Sequence, residues 1–128
     1  MKIQQSVIVI DDDAAVLSAI EDILQAKASF LVRTFRTYRE AIEMLNTGPV
    51  DIIVADVILG GEATGIDACI AAVERYPGVA LVLISAESAR DYHGYPPRTV
   101  CLQKPFSAAE LMDAIARAQE ASALAKQA

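Results

Sequence analysis

The sequence predicts an α/β fold, in which a doubly wound, five-stranded parallel sheet carries helices on both faces. Five short apolar runs are rich in β-branched residues, and continuous runs of this kind are typical of strands buried on both sides. Segments with helical periodicity separate the runs, and an alternation of strands and helices produces a parallel sheet. The expected strands are residues 6–10, 30–35, 51–55, 79–84 and 99–102.

The first two helices are predicted from apolar periodicity and from capping residues. The first is expected at about residues 14–27, where the apolar side chains fall on one helical face. The second is expected to begin at Thr37, because Thr37 and Glu40 have the spacing of a capping box. Gly48 and Pro49 follow this helix and are expected to stop it.

The later helices flank a segment that fits the alternation less well. A third helix is expected at about residues 65–75, and the last helix is expected to open with a capping box formed by Ser107 and Glu110. Between them, residues 86–98 contain a glycine and two consecutive prolines, which end a helix. The fourth helix is therefore expected to be short or irregular.

Length, charge and composition exclude several classes of protein. A chain of 128 residues that is 54% hydrophobic is expected to form one domain over residues 1–128, either alone or within a longer protein. The net charge of −6 disfavours direct binding of nucleic acid. No apolar run approaches the ~20 residues needed to cross a membrane, and no signal-peptide pattern opens the chain. Cys69 and Cys101 lack metal-binding spacing, which favours reduced thiols in the cytoplasm.

Acidic residues follow two of the predicted strands. Asp11, Asp12 and Asp13 follow the first strand, and Asp56 follows the third. Ligands bind beyond the carboxyl ends of the strands in open α/β sheets, so these carboxylates are expected to line one crevice. Their mutual repulsion calls for a cation, and Mg²⁺ suits an open site with oxygen ligands.

Ser85 and Lys104 follow the fourth and fifth strands and complete the predicted site. A carboxylate is a nucleophile toward phosphorus, and Asp56 is the best candidate because it stands alone at the end of the third strand. Lys104 offers a positive charge and Ser85 a hydroxyl donor to phosphate oxygens. These residue types indicate binding and transfer of a phosphoryl group.

The order and spacing of these motifs resemble those of response-regulator receiver domains, the phosphoacceptor modules of two-component signalling. The matching segments are residues 9–13, Asp56, Ser85-Ala86 and residues 104–106, so the resemblance covers nearly the whole chain. It implies a flavodoxin-like sheet with the strand order 2-1-3-4-5. It also implies a signalling module and not an enzyme, apart from self-phosphorylation and slow autodephosphorylation at Asp56.

The resemblance implies a metal-dependent phosphoacceptor site. Asp56 would accept the phosphoryl group from the histidine of a sensor kinase or of a histidine phosphotransfer protein. Mg²⁺ would be bound by the side chains of Asp11, Asp12 and Asp56 and by the backbone carbonyl of Ile58. The apolar side chain of Ile58 would orient attacking water poorly, so we expect a long-lived phosphate.

Further positions would bind the phosphate and control the output. Lys104 and Ser85 would contact the phosphate, and Ala86 is small enough to keep Asp56 accessible. The bond between Lys104 and Pro105 is expected to be cis, as in the family and as proline permits. Phosphorylation would alter the binding of a downstream protein partner or effector domain, because a modification shifts an equilibrium only through different affinities of the two states.

Three departures from the family pattern concern the output. The switch position, where the family pairs the hydroxyl of Ser85 with an aromatic residue, holds Cys101. Only 18 residues separate Ser85 from Lys104, which leaves little room for a fourth helix. The loop after the third strand is one residue longer than usual, with Gly60 where proline often stands. We therefore hypothesise a rigid or unusual output surface. Tyr92 or Tyr95 either replaces the missing switch aromatic residue or simply packs.

Other interpretations stay open at the level of sequence. Asp13 has the position of a helix cap, and Ser85 could also be one. Cys69 and Cys101 are expected to fill the core. One alternative function is a degenerate receiver that binds partners without phosphorylation. Another is a haloacid-dehalogenase-like phosphatase, because Asp11 and Asp13 have the spacing of its nucleophile motif.

Overall fold

The computed structural model describes residues 4–61 and 63–127, so residues 1–3, 62 and 128 of the expected domain lie outside the described residues. The strands are β1 (Gln5–Ile10), β2 (Phe30–Phe35), β3 (Ile52–Asp56), β4 (Ala80–Ser85) and β5 (Val100–Gln103). The α-helices are α1 (Ala14–Gln25), α2 (Tyr38–Thr47), α3 (Gly65–Arg75) and α4 (Ala108–Gln127). None of the helices described is both long enough and apolar enough to span a membrane.

Neighbouring strands pair in parallel in the order β2-β1-β3-β4-β5, which confirms the predicted doubly wound, flavodoxin-like sheet. Strands β3 and β4 are buried along their whole length, as their continuous apolar runs predict. One apolar core lies between the sheet and helices α1 and α4, and a second lies between the sheet and helices α2 and α3. Because all strands run the same way, their carboxyl ends meet at one edge.

Both predicted capping boxes are present, at the starts of α2 and α4. In α2, the Thr37 hydroxyl accepts the N–H of Glu40 (3.2 Å) and donates to the Glu40 carboxylate (3.0 Å). In α4, the N–H of Glu110 donates to Ser107 Oγ (3.1 Å), and the N–H of Ser107 donates to the Glu110 carboxylate (2.9 Å). These contacts satisfy backbone donors that the first helical turn leaves unpaired.

The segment between β4 and β5 is the irregular part of the fold. Among its described residues, the helical structure is a single 3₁₀ turn at Ala89–Asp91, which confirms the predicted short and irregular fourth helix. Tyr92 and Tyr95 pack against the core beneath this segment. The guanidinium of Arg98 donates to two backbone carbonyls in the turn before β4, so the end of the segment is fixed to the sheet.

Candidate functional site

The strand ends bring the predicted site residues to one edge of the sheet. Asp11 follows β1 and Asp56 ends β3, and these residues are only 1% and 8% exposed. Ser85 ends β4 and is also buried. Lys104 follows β5, and its N–H donates to the Ser85 carbonyl at 2.8 Å. The Lys104-Pro105 bond is cis, as predicted.

Asp11, Asp12 and Asp56 form an acidic cluster at this edge. Each offers one carboxylate oxygen, and the three oxygens lie within 4.8 Å of one another. Opposite ligands of an octahedral Mg²⁺ ion are roughly 4.2 Å apart, so the cluster has nearly the dimensions of a magnesium site. Carboxylate oxygens are also the ligand type that this cation prefers. The side chains present therefore fit a magnesium ion.

Ile58 lies beside the acidic cluster. Its N–H donates to Asp56 Oδ1 at 3.4 Å, and the residue is 63% exposed to solvent. Ile58 is therefore an exposed apolar residue whose backbone contacts the Asp56 carboxylate. The predicted role of the Ile58 carbonyl as a metal ligand stays a prediction.

Lys104 neutralises part of the acidic charge. Its Nζ lies 3.0 Å from Asp56 Oδ2 and 3.3 Å from Asp11 Oδ2. Burial alone would lower the pKa of Lys104, but the hydrogen bond to Asp56 and the charges of both carboxylates outweigh it, so the pKa is raised. Burial raises the pKa of Asp11, and the N–H of Asp13 and the ammonium of Lys104 offset this only in part. Lys104 is thus a permanent positive charge in the crevice.

The Ser85 hydroxyl is held by the segment that follows β4. Ser85 Oγ donates to the Glu87 carbonyl at 2.5 Å. Ala86 lies between them and is exposed, and its carbonyl accepts a hydrogen bond from the Gln103 side chain at 3.3 Å. The hydroxyl at the site edge and the first residues of the irregular segment are therefore directly linked.

Cys101, at the predicted switch position, is partly buried on β5, and both it and Tyr95 pack against the core on the α2 and α3 side. Burial raises the pKa of Cys101, and the Tyr95 hydroxyl offsets this only in part. Cys69 in α3 is fully buried, and burial raises its pKa to about 12. Both thiols contact the core on the α2 and α3 side, as predicted.

Asp13 caps α1 and does not belong to the acidic cluster. Its carboxylate accepts the N–H groups of Ala15 (2.9 Å) and Val16 (3.3 Å). The phosphatase interpretation required Asp11 and Asp13 to act together on one substrate. Since the Asp13 carboxylate is engaged by the helix, the geometry gives that interpretation no support.

Three residues around the site have structural roles that the sequence did not predict. Arg36 donates from Nη2 to the carbonyl oxygen of Asp12 at 3.0 Å, and Gly60 has a φ of +74°. Gly65 begins α3 so close to Asp56 that an added Cβ would lie 2.1 Å from the Asp56 carbonyl oxygen. Arg36 directly follows β2 at the same sheet edge, which was a usable signal. The glycines are recognisable only once the path of the loop is known.

Comparison with known proteins agrees with this architecture. The family profile of the response regulator receiver domain matches residues 7–116. A response regulator receiver protein from Sinorhizobium medicae WSM419 has 30% identity and a TM-score of 0.84, with 93% of this chain and 97% of that chain covered. Chemotaxis response regulator CheY4 of Vibrio cholerae shares the fold at 22% identity and a TM-score of 0.77, with 90% and 98% covered.

One curated relative is a longer protein. The transcriptional regulatory protein YvrH of Bacillus subtilis is 27% identical over 84 residues, and the match spans 66% of this chain but only 35% of YvrH. The similarity therefore concerns one part of that relative. The family profile, by contrast, matches most of this chain. The chain belongs to the response regulator receiver domain family.

Proposed function

We propose that this chain is the phosphoacceptor of a two-component phosphorelay and that Asp56 is the residue phosphorylated. A carboxylate oxygen of Asp56 attacks the phosphorus of a phosphohistidine on a sensor kinase or histidine phosphotransfer protein. The P–O bond forms as the P–N bond breaks, and the imidazole leaves with the electron pair and takes up a proton. Later, water attacks the phosphorus, which releases inorganic phosphate and restores the carboxylate.

The position of Asp56 inside the acidic cluster, next to Lys104, is the observation that carries this proposal. Lys104 Nζ is 3.0 Å from Asp56 Oδ2, so its flexible side chain can contact an oxygen of a phosphoryl group attached to Asp56. Asp11, Asp12, Asp56 and the Ile58 carbonyl are the ligands that we propose for Mg²⁺. When bound, this ion would neutralise charge on the carboxylates and on the incoming phosphoryl group.

An apolar groove next to the site suits the helix that carries the donor histidine. It has a volume of about 470 Å³, lies between α1 and the loop after β5, and is lined by residues that include Ile20, Ile23 and Phe106. Lys104 lines the groove and also contacts Asp56. An amphipathic helix that lays its apolar face in such a groove would bring a histidine on its edge close to Asp56.

We propose that Ser85 transmits phosphorylation to the output surface. Its hydroxyl donates to the Glu87 carbonyl, and a phosphoryl group on Asp56 would compete for that hydroxyl with stronger, charged acceptors. Loss of the Glu87 contact would free the start of the irregular segment. Tyr92 and Tyr95 pack against the core, and Arg98 bonds to the turn before β4, so the far part of the segment would stay in place and the rearrangement would be local.

The downstream partner is proposed to be a protein or an effector domain. The relative YvrH is named a transcriptional regulatory protein and is longer than this chain. The net charge of −6 disfavours DNA contact by the receiver itself, so that role would fall to the partner. Both cysteines are free thiols, which is consistent with the cytoplasmic location that we propose.

Treatment with acetyl phosphate and Mg²⁺, followed by intact-mass measurement, tests the phosphoacceptor function. We expect the wild-type chain to gain one phosphoryl group and the gain to disappear when a chelator removes Mg²⁺. Asp56→Asn should gain none, because the nucleophilic oxygen is lost. Asp13→Asn is the matched control, since the Asp13 side chain caps α1 outside the acidic cluster, and this variant should be phosphorylated like the wild type.

Two outcomes would overturn the proposal. A wild-type chain that gains no mass in Mg²⁺ would favour a degenerate receiver that acts without phosphorylation. A covalent phosphate that persists in Asp56→Asn would move the nucleophile to another residue, such as Asp11, and would favour the phosphatase interpretation.

A further inference from the structure

We propose that Arg36 and Gly60 are positioning residues, which place the Asp12 carboxylate where the acidic cluster needs it to bind a cation. Neither residue would touch the cation, and both would act through Asp12. The inference rests on the proposed function, because it assumes that the acidic cluster binds Mg²⁺. It assigns roles to two residues at positions where the family resemblance implied none.

Asp12 is the member of the acidic cluster whose side chain is least restrained. The Asp11 carboxylate accepts the N–H of Asp13 (2.9 Å) and the ammonium of Lys104, and Asp56 accepts the N–H of Ile58 and the same ammonium. Within the described part of the chain, the Asp12 carboxylate has no such partner, and the residue is exposed. Its orientation must therefore come from its backbone and its close neighbours.

Arg36 restrains the backbone of Asp12. It is the first residue after β2, and its Nη2 donates to the Asp12 carbonyl oxygen at 3.0 Å. On the other side, the N–H of Asp11 donates to the carbonyl of Phe35 at 3.1 Å. The end of β1 is thus tied to the end of β2 by a backbone bond and a side-chain bond. A fixed peptide at Asp12 fixes the direction of its Cα–Cβ bond.

Gly60 leaves the space that the Asp12 carboxylate occupies. Its φ is +74°, and a Cβ added to it would lie 2.8 Å from Asp12 Oδ2. Any other residue would be strained by the backbone conformation and would push the carboxylate away. Gly61, the next residue, has open space at the corresponding position, so the requirement is specific to Gly60.

The charge of Arg36 makes the inference decidable, because charge and positioning predict opposite results. A guanidinium near the cluster repels a divalent cation, so a purely electrostatic effect predicts tighter Mg²⁺ binding when Arg36 is removed. A positioning effect predicts weaker binding, because the carboxylate of Asp12 then has to be ordered when the cation binds. The sign of the change in affinity separates the two.

Calorimetric titration of the unphosphorylated full chain with MgCl₂ measures that sign. We expect Arg36→Ala to weaken Mg²⁺ binding by about tenfold, the low end of the losses seen when a residue that orients a metal ligand is removed. Arg36→Lys should recover part of the affinity, since an ammonium can still donate to the Asp12 carbonyl. Arg39→Ala removes a nearby exposed charge from α2 and should leave the affinity unchanged.

A second series tests Gly60 without altering any charge. Gly60→Ala should weaken Mg²⁺ binding, whereas Gly61→Ala should not, because its new Cβ would meet no atom within 4 Å among the described residues beyond its chain neighbours. Gly94→Ala is a control for backbone strain alone, since Gly94 has a φ of +87° but open surroundings. It should lower stability without changing Mg²⁺ affinity. Unfolding curves recorded in chelator show whether each variant folds.

Unchanged or tighter Mg²⁺ binding in Arg36→Ala overturns the role of Arg36, and wild-type affinity in a folded Gly60→Ala overturns that of Gly60. If Gly60→Ala does not fold, the Arg36 series decides alone. A wild-type chain that binds no Mg²⁺ overturns the metal site of the proposed function and this inference together. If the wild-type chain binds Mg²⁺ and is phosphorylated, but the Arg36 and Gly60 variants bind Mg²⁺ with wild-type affinity, then only the inference about Arg36 and Gly60 is overturned.

Discussion

At the residue scale, the site depends on close backbone contacts that only the smallest side chain permits. Gly65 begins α3 directly against the end of β3, and its N–H donates to the Val57 carbonyl at 2.9 Å. An added Cβ would lie 2.1 Å from the carbonyl oxygen of Asp56 and 2.7 Å from its carbonyl carbon. Both neighbours are backbone atoms, so either the helix or the strand end would have to move.

We expect Gly65→Ala to lower the free energy of unfolding by about 1–3 kcal/mol, the usual cost of overpacking. Alanine favours a helix over glycine by only about 1 kcal/mol, so propensity does not rescue the variant. Urea denaturation measures the change. Gly48→Ala is the control, since an added Cβ at Gly48 would meet no atom within 4 Å in the described part of the chain, apart from its own chain neighbours. Equal stability of Gly65→Ala and the wild type would contradict this prediction.

Ile58 gives a prediction about the lifetime of the phosphate. Its N–H contacts Asp56 Oδ1, and its exposed apolar side chain offers no hydrogen bond that would orient water. We expect Ile58→Asn to lose its phosphate several times faster than the wild type, as followed by intact mass after the donor is removed. Ile58→Leu keeps the apolar character and should decay at the wild-type rate. An Ile58→Asn variant that decays no faster would remove the basis for this role.

At the scale of elements, local signals were predictable from sequence and long-range contacts were not. Apolar periodicity and the caps at Thr37 and Ser107 involve neighbouring residues, so the strands and most helix starts were predicted. The cap of α3 is an exception, because Thr64 and Asp67 form a complete capping box whose local spacing was a usable signal that the prediction left out. No local pattern shows which side chains meet across the sheet.

In the candidate site, too, the residues with local signals were predictable and the long-range contacts were not. Asp11, Asp56 and Lys104 were predictable because each stands at the end of an apolar run, and parallel strands bring such ends together. The contact of Arg36 with Asp12 depends on the path of the turn after β2. The packing of Tyr95 against the core likewise depends on how an irregular segment folds back, which no periodicity describes.

The link between β4 and the 3₁₀ turn can be tested through Ser85. If its hydroxyl bond to Glu87 holds residues 86–91 at rest, Ser85→Ala should speed amide hydrogen exchange in that segment without phosphorylation. Phosphorylation should speed exchange there in the wild type and change it little in the variant. Ser88→Ala, which leaves the Ser85 bond intact, should behave like the wild type. Identical exchange in all three proteins would rule out the link.

At the scale of the whole molecule, the fold concentrates negative charge at one end of its sheet. The two cores extend over both faces of the sheet, while Asp11, Asp12 and Asp56 converge at the carboxyl edge. Lys104 contacts two of the three carboxylates, and the chain as a whole carries a net charge of −6. Repulsion in this cluster destabilises the folded state, and a bound cation would relieve it.

Mg²⁺ is therefore expected to stabilise the whole fold, because the unfolded chain lacks the cluster. At a concentration of 100 times the dissociation constant, the gain in the free energy of unfolding should be about 2.7 kcal/mol. Asp12→Asn removes one proposed ligand, so the same Mg²⁺ concentration should stabilise it less. Asp22→Asn, an exposed site on α1, should respond like the wild type. Urea denaturation with and without MgCl₂ measures each gain, and equal gains in all three proteins would place any bound ion outside the acidic cluster.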